Sequence, residues 1–121
     1  MTIKKLSTGV LAKDVTTTLA GITLVNVDSD DSANVSVFVF DWTSGSPVQL
    51  TTSIPNPVII LPDTFQNITA SLSSVSFYEI RFVYTFDNDI IFNCYGLTAL
   101  PFVIGQANNV LHRELSDVEL V

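Results

Sequence analysis

Twenty residues, from Phe77 to Gly96, constrain the fold of this chain more than any other stretch. Tyr78, Ile80, Phe82, Tyr84 and Phe86 alternate with Phe77, Glu79, Arg81, Val83 and Thr85. One face of the segment is therefore continuously apolar, the mark of a β-strand against a core. After Asp87-Asn88-Asp89 the same habit returns, with Ile90, Phe92 and Cys94 on one face and Ile91, Asn93 and Tyr95 on the other. Two such runs around a polar turn predict a β-hairpin. A two-residue turn at Asp87-Asn88 would set Phe86 opposite Asp89 and Phe82 opposite Asn93. A three-residue loop sets Phe86 opposite Ile90, Tyr84 opposite Phe92 and Phe82 opposite Cys94. The second register keeps the buried face apolar, and Asn88 and Asp89 tolerate the left-handed backbone it needs.

The rest of the chain is strand-like too. Residues 2–19 form a polar, β-prone segment ended by Gly21, read as a strand or an extended arm. Ile22–Val27 is the first firm strand. Asn34–Trp42 alternates strictly, Val35, Val37, Val39 and Asp41 against Ser36, Phe38, Phe40 and Trp42. The aromatic set is expected to face the core, and a strand apolar on both sides is covered on both. Short strands follow at Val48–Leu50, Val58–Leu61 and Asn67–Leu72, bounded by Gly45, Pro47, Pro55, Pro57 and Pro62. Leu97–Ile104 contains Pro101 and is expected to be an edge strand; 105–109 reads as a loop, and 110–121 closes the chain: Leu111, Glu114, Leu115 and Val118 would suit a helix, Leu111, Arg113 and Leu115 a strand, and the Val-rich surroundings favour the strand.

Few helix formers and no 3.6-residue period complete the pattern. The expected fold is all-β, an antiparallel jelly-roll-like sandwich of seven to nine strands. The expected division is an N-terminal arm or connector over 1–21 and one β-sandwich domain over 22–121. A chain of 121 residues is long enough to bury a core without staples.

Charge limits the partners. Five basic residues against twelve acidic ones make a net charge of −7, so no nucleic-acid partner is expected. Lys4, Lys5 and Lys13 against Asp14 make the arm positive. Arg113 against Glu114, Asp117 and Glu119 makes the C-terminal segment negative. The ends are complementary and are expected to meet between neighbouring copies. Lys4, Lys5, Lys13, Arg81, Glu114, Asp117 and Glu119 are the candidate interface residues. No apolar run reaches membrane-spanning length, and no h-region follows Lys4-Lys5, so neither a membrane partner nor a cleaved signal is expected.

The search for catalytic groups is short. His112 is the single histidine and no nucleophile motif accompanies it, so a surface histidine is expected. Asp28, Asp30 and Asp31 offer carboxylates that a weak Ca²⁺ site would use, but lack the glycine and glutamate of an EF-hand loop, so a solvated turn is expected. Cys94, the single cysteine, is expected in the core as an inert thiol. Arg81 is placed opposite Tyr95, within cation–π reach. Asn34-Val35-Ser36 and Asn67-Ile68-Thr69 are glycosylation sequons without a secretory context. No catalytic residue, metal site or cofactor is read, and the chain is not expected to be an enzyme.

Val37-Phe38-Val39-Phe40-Asp41-Trp42, then Gly45-Ser46-Pro47-Val48, then Tyr78-Glu79-Ile80-Arg81 and Asn93-Cys94-Tyr95-Gly96 together resemble a family pattern. Residues 22–96 look like the jelly-roll subunits of bacterial endospore appendages and exosporium-associated proteins. The resemblance implies a structural, self-assembling subunit of a spore-surface or extracellular fibre or coat, with copies of itself and other surface-layer proteins as partners. Such appendage subunits carry connector cysteines, and residues 1–21 have none, so the joint implied here is non-covalent. The competing expectation is a closed-oligomer binding module, such as a virion decoration protein or a C1q-like trimeric head.

Overall fold

The computed structural model describes residues 3–85, 89–98 and 106–118, the side chains of 106–108 excepted. It contains two antiparallel sheets packed as a β-sandwich. The strands are β1 (Ile3–Ser7), β2 (Leu11–Ala12), β3 (Leu19–Asn26), β4 (Ala33–Asp41), β5 (Val48–Leu50), β6 (Val58–Ile60), β7 (Thr64–Ser71), β8 (Phe77–Thr85), β9 (Ile90–Leu97), β10 (Gln106–Leu111) and β11 (Ser116–Asp117). A 3-10 turn, His112–Glu114, separates the last two. Sheet A runs β11-β1-β8-β4-β5, with β2 also on β8 and β6 also on β4; sheet B runs β10-β9-β3-β7. Among the described residues no helix is long and apolar enough to cross a membrane.

The expected hairpin is not formed. β8 and β9 belong to different sheets: β8 pairs with β1, β2 and β4, and β9 with β3 and β10. The two apolar faces do meet, but across the sandwich rather than side by side. Phe82 and Phe92 stack with ring centroids 4.1 Å apart, and Tyr84 meets Phe92 edge-on at 5.0 Å. Alternation specifies which side chains are buried, and Tyr78, Ile80, Phe82, Tyr84, Ile90, Phe92 and Cys94 all are. It does not specify whether two buried faces belong to one sheet or to two. Asp87 and Asn88 of the expected turn, and Phe86 before it, lie outside the described residues.

β4 also corrects the expectation. Its valines, not its aromatics, face the core: Val35, Val37 and Val39 are buried while Phe38, Phe40 and Trp42 are half-exposed on the outside of sheet A. The reason is volume. Val35, Val37 and Val39 lie opposite Tyr84, Phe82 and Ile80 of β8, whose large side chains already occupy the space between the sheets. A second row of rings would overfill a layer about 10 Å thick.

Local chemistry explains the connections. Asn26 is fully buried at the end of β3, where its amide donates to the carbonyls of Asp31 and Ile60 and accepts from the Asp28 N–H. Asp28 in turn accepts from the amides of Asp30 and Asp31, closing the turn into β4. The edge of β4 is covered by β5 at residues 39–41 and by β6 at residues 33–35, which leaves Val37 between them. Asn56 completes that edge: its side chain accepts from the Val37 N–H at 2.9 Å and donates to the Val37 carbonyl at 2.8 Å. Gly21 does not end a segment as expected. It lies inside β3, between Thr69 and Tyr95, and the Tyr95 ring occupies the space a Cβ would need. Residues 105–109, expected as a loop, are in part the β10 strand, and the expected closing strand is broken by the 3-10 turn.

Residues 3–7 and 11–12 lie along β8 of their own chain, with Leu6 in the core. Between them the Thr8 amide donates to Ile80 and its hydroxyl accepts from Ile80, so the ladder continues through the break. Gly9, at φ 69°, supplies the left-handed residue that this jog needs.

Candidate interaction surface

The outer face of sheet A gathers the chemistry that the core does not use. Strand alternation puts Ser36, Phe38 and Phe40 of β4 with Trp42 just after it, Phe77, Glu79, Arg81 and Val83 of β8, and Ile3, Lys5 and Ser7 of β1 on this side. Phe38 and Phe40 stack with centroids 6.3 Å apart. The Arg81 guanidinium lies over the Phe40 ring, 4.5 Å from its centroid. Ile3, Ile59 and Phe77 are 61%, 49% and 46% exposed at the margins of the same face.

A buried carboxylate organises this surface. Glu79 points outward yet is only 6% exposed, because Trp42, Arg81 and Ser7 close over it. The Trp42 indole Nε1–H donates to Oε1 at 2.9 Å. The Arg81 Nε–H and the Ser7 hydroxyl both donate to Oε2. Ser7 is held in turn by the Gly9 N–H, which donates to its oxygen. Burial alone would raise the Glu79 carboxyl. The hydrogen bonds from Arg81, Ser7 and Trp42, together with the Arg81 charge, outweigh it and hold the group below the ordinary 4.5. Glu79 therefore favours its anionic form and binds the indole and the guanidinium together. Beside Phe38 an open groove of about 490 Å³ is lined also by Gln49, Leu50, Thr51, Thr52, Pro55 and Asn56.

The expected interface residues lie in several parts of the fold. Lys4 meets Asp117 at 3.5 Å within the chain, so this pair of complementary charges closes on itself through the β1–β11 pairing. Lys5 lies opposite Val83 on the outer face. Lys13 donates to the carbonyls of Asp14 and Thr17, folded onto its own turn. Glu114 accepts from the Leu111 N–H at the 3-10 turn, and Glu119 lies outside the described residues. Arg81 does not face Tyr95, which is in the other sheet and donates to Asn67; its ring partner is Phe40.

His112 is half-buried rather than a surface residue. Its Nδ1 accepts from the Phe92 N–H at 3.0 Å, and its ring lies parallel to the Phe92 ring at 5.4 Å. Burial, and then the charge of Lys4, lower its affinity for a proton below the ordinary value of 6.5. Cys94 is buried, and burial pushes its thiol up to about 12. Among the described residues no group of three or more His, Cys, Asp or Glu side chains is placed to hold a metal ion.

Sequence reasoning named Arg81 but missed its setting. The signal was present: Phe38, Phe40 and Trp42 share a parity with Glu79 and Arg81 once β4 is paired with β8. Without that pairing nothing distinguished the aromatic row from a core face. No protein-family model, no curated protein and no solved structure matches this chain.

Proposed function

We propose that this chain is a structural subunit that assembles with copies of itself through the outer face of sheet A. The observation that carries the reading is the half-exposed row of Phe38, Phe40 and Trp42, locked by the Arg81–Glu79 pair. Aromatic residues and arginine are enriched where interfaces bind tightly. Large apolar patches on a folded surface mark contact sites. The sandwich is read as a jelly roll because its pairings nest: β4 with β5 and β6 innermost, then β3 with β7, then β1 with β8. A spore-surface or extracellular fibre or coat layer is the setting that the sequence resemblance suggests. In a strand-exchange joint, the segment over 3–7 would occupy a neighbour's β8 as it now occupies its own.

A closed oligomer acting as a binding module is the second reading. It is favoured by β1 lying on its own sheet and by the Lys4–Asp117 pair closing within one chain.

The test is the mass of the full chain across a concentration series, by light scattering and negative-stain microscopy, beside Phe38→Glu. Extended assemblies that Phe38→Glu reduces to single chains support the proposal. A fixed small oligomer supports the second reading. Single chains at every concentration overturn both.

A further inference from the structure

The end of the described chain is fastened by few groups. β11 comprises two exposed residues, Ser116 and Asp117, paired with Ser7 and Leu6 along the outer edge of β1. Val118 adds one hydrogen bond, its N–H donating to the Lys5 carbonyl. Val110 and Leu115 are the partly buried apolar side chains that this segment packs on the core. At its start stands His112. The ladder between β10 and β9 pairs Val110 with Cys94 and Leu111 with Asn93, and His112 follows where Phe92 comes next. The chain turns there into the 3-10 segment, and the imidazole Nδ1 accepts from the Phe92 N–H.

We propose that His112 is an acid-released latch: a proton on Nδ1 removes the acceptor for the Phe92 N–H, frees residues 112–118 from β9 and β1, and bares the β1 edge of sheet A. The neutral ring accepts at Nδ1, whereas the protonated ring carries a donor on both nitrogens. A donor facing the Phe92 N–H leaves that amide without its partner. The surrounding charges act in the same direction. The charge of Lys4 of β1 acts against an imidazolium, while Asp117 of β11 is engaged by Lys4. Tyr84 of β8 meets Phe92, the ring on which His112 stacks, and burial and then the charge of Asp117 push its hydroxyl above the ordinary 10.0. On its own turn Glu114 is bound to the Leu111 N–H, and Arg113 adds a second positive charge.

Once released, the histidine titrates near the ordinary 6.5, so acid favours the open form. If the packed ring took no proton at all, opening at pH 5 would be about 30-fold more populated than at pH 7.5. An unpaired β1 edge is the form of backbone to which a strand of another chain adds. The latch itself stands whether or not copies assemble.

The experiment is amide hydrogen exchange on the full chain at pH 7.5 and pH 5.0, with rates corrected to protection factors. The wild type should lose several-fold to about 30-fold protection at the Phe92 and Val118 amides, while central amides of β3 and β8 hold. His112→Asn places a pH-insensitive oxygen near the Nδ1 position, and its protection should be the same at both pH values. Equal protection of the wild type at both pH values overturns the proposal, as does an equal loss in His112→Asn. A ¹⁵N titration of the wild-type imidazole gives an independent reading: a midpoint at or above 6.5 also overturns it.

Discussion

Replacing Asn56 with alanine tests whether a side chain acts as a length of strand. Asn56 makes two hydrogen bonds to one residue, accepting from the Val37 N–H at 2.9 Å and donating to its carbonyl at 2.8 Å. That is the exchange an antiparallel partner strand would make. Alanine removes both bonds and leaves two half-buried backbone groups at the gap between β5 and β6. A hydrogen bond nets about 0.5–1.5 kcal/mol and an unsatisfied buried group costs about 1–3 kcal/mol. Water reaches this edge in part, so the loss should be about 2–3 kcal/mol. For a chain of 121 residues that corresponds to about 8–12 °C in Tm. Urea unfolding followed by Trp42 fluorescence reads it directly, with the slope unchanged if only stability moved. Asn56→Asp is the control. Its carboxylate still accepts from the N–H but repels the carbonyl, so it should resemble alanine at pH 7 and recover on protonation. A loss below about 0.5 kcal/mol in Asn56→Ala, with an unchanged slope, would refute the strand-mimic argument.

Three other perturbations probe different parts of the molecule. Gly21→Ala should cost about 1–3 kcal/mol, because the new Cβ meets the Tyr95 ring; in a Tyr95→Ala background the same change should cost much less, which a double-mutant cycle measures. Thr17→Val should raise Tm by about 4 °C, since the Thr17 hydroxyl is buried without a hydrogen-bond partner among the described residues and desolvating it costs about 1 kcal/mol; no gain in calorimetry would mean that the hydroxyl is satisfied. The folded Glu79 carboxyl is held below 4.5, so its contribution is present above pH 4.5 and is lost as pH falls through the folded value. Chemical denaturation between pH 3 and 6 should therefore show a steeper decline in the wild type than in Glu79→Gln.

Much of the fold was legible because a strand writes its burial into its parity. Val48–Leu50 was read with the bounds it has, and Ile22–Val27 and Asn34–Trp42 were within a few residues of β3 and β4. Boundaries slipped where ladders, not side chains, define them: β3 begins at Leu19, ahead of Gly21, because its neighbours β7 and β9 still supply partners there. The C-terminal segment was misread for a related reason. Leu111, Arg113 and Leu115 fit a strand, but the His112 side chain accepts from the Phe92 N–H, and the chain turns. Asn56 between two prolines read as punctuation. Its role depends on a strand nineteen residues away in sequence, which no local pattern reports.

The surface was harder to read than the core, and β4 shows why. Its two faces are almost equally apolar, so hydrophobicity alone cannot orient it. Its neighbour decides. Had β8 and β9 formed the expected hairpin, the rings of β8 and β9 would have lined one sheet, and β4 would have packed over them with its own aromatics inward. Because the chain crosses between sheets after β8, Phe82 and Phe92 fill the interior from opposite walls, and β4 contributes valines beside the β8 side chains. The displaced aromatics are then turned outward, where Glu79 and Arg81 of the same parity hold them in place. The candidate interaction surface is thus a consequence of one connection. A sequence that spends its large rings on one pair of strands leaves those of a third strand for contacts outside the domain.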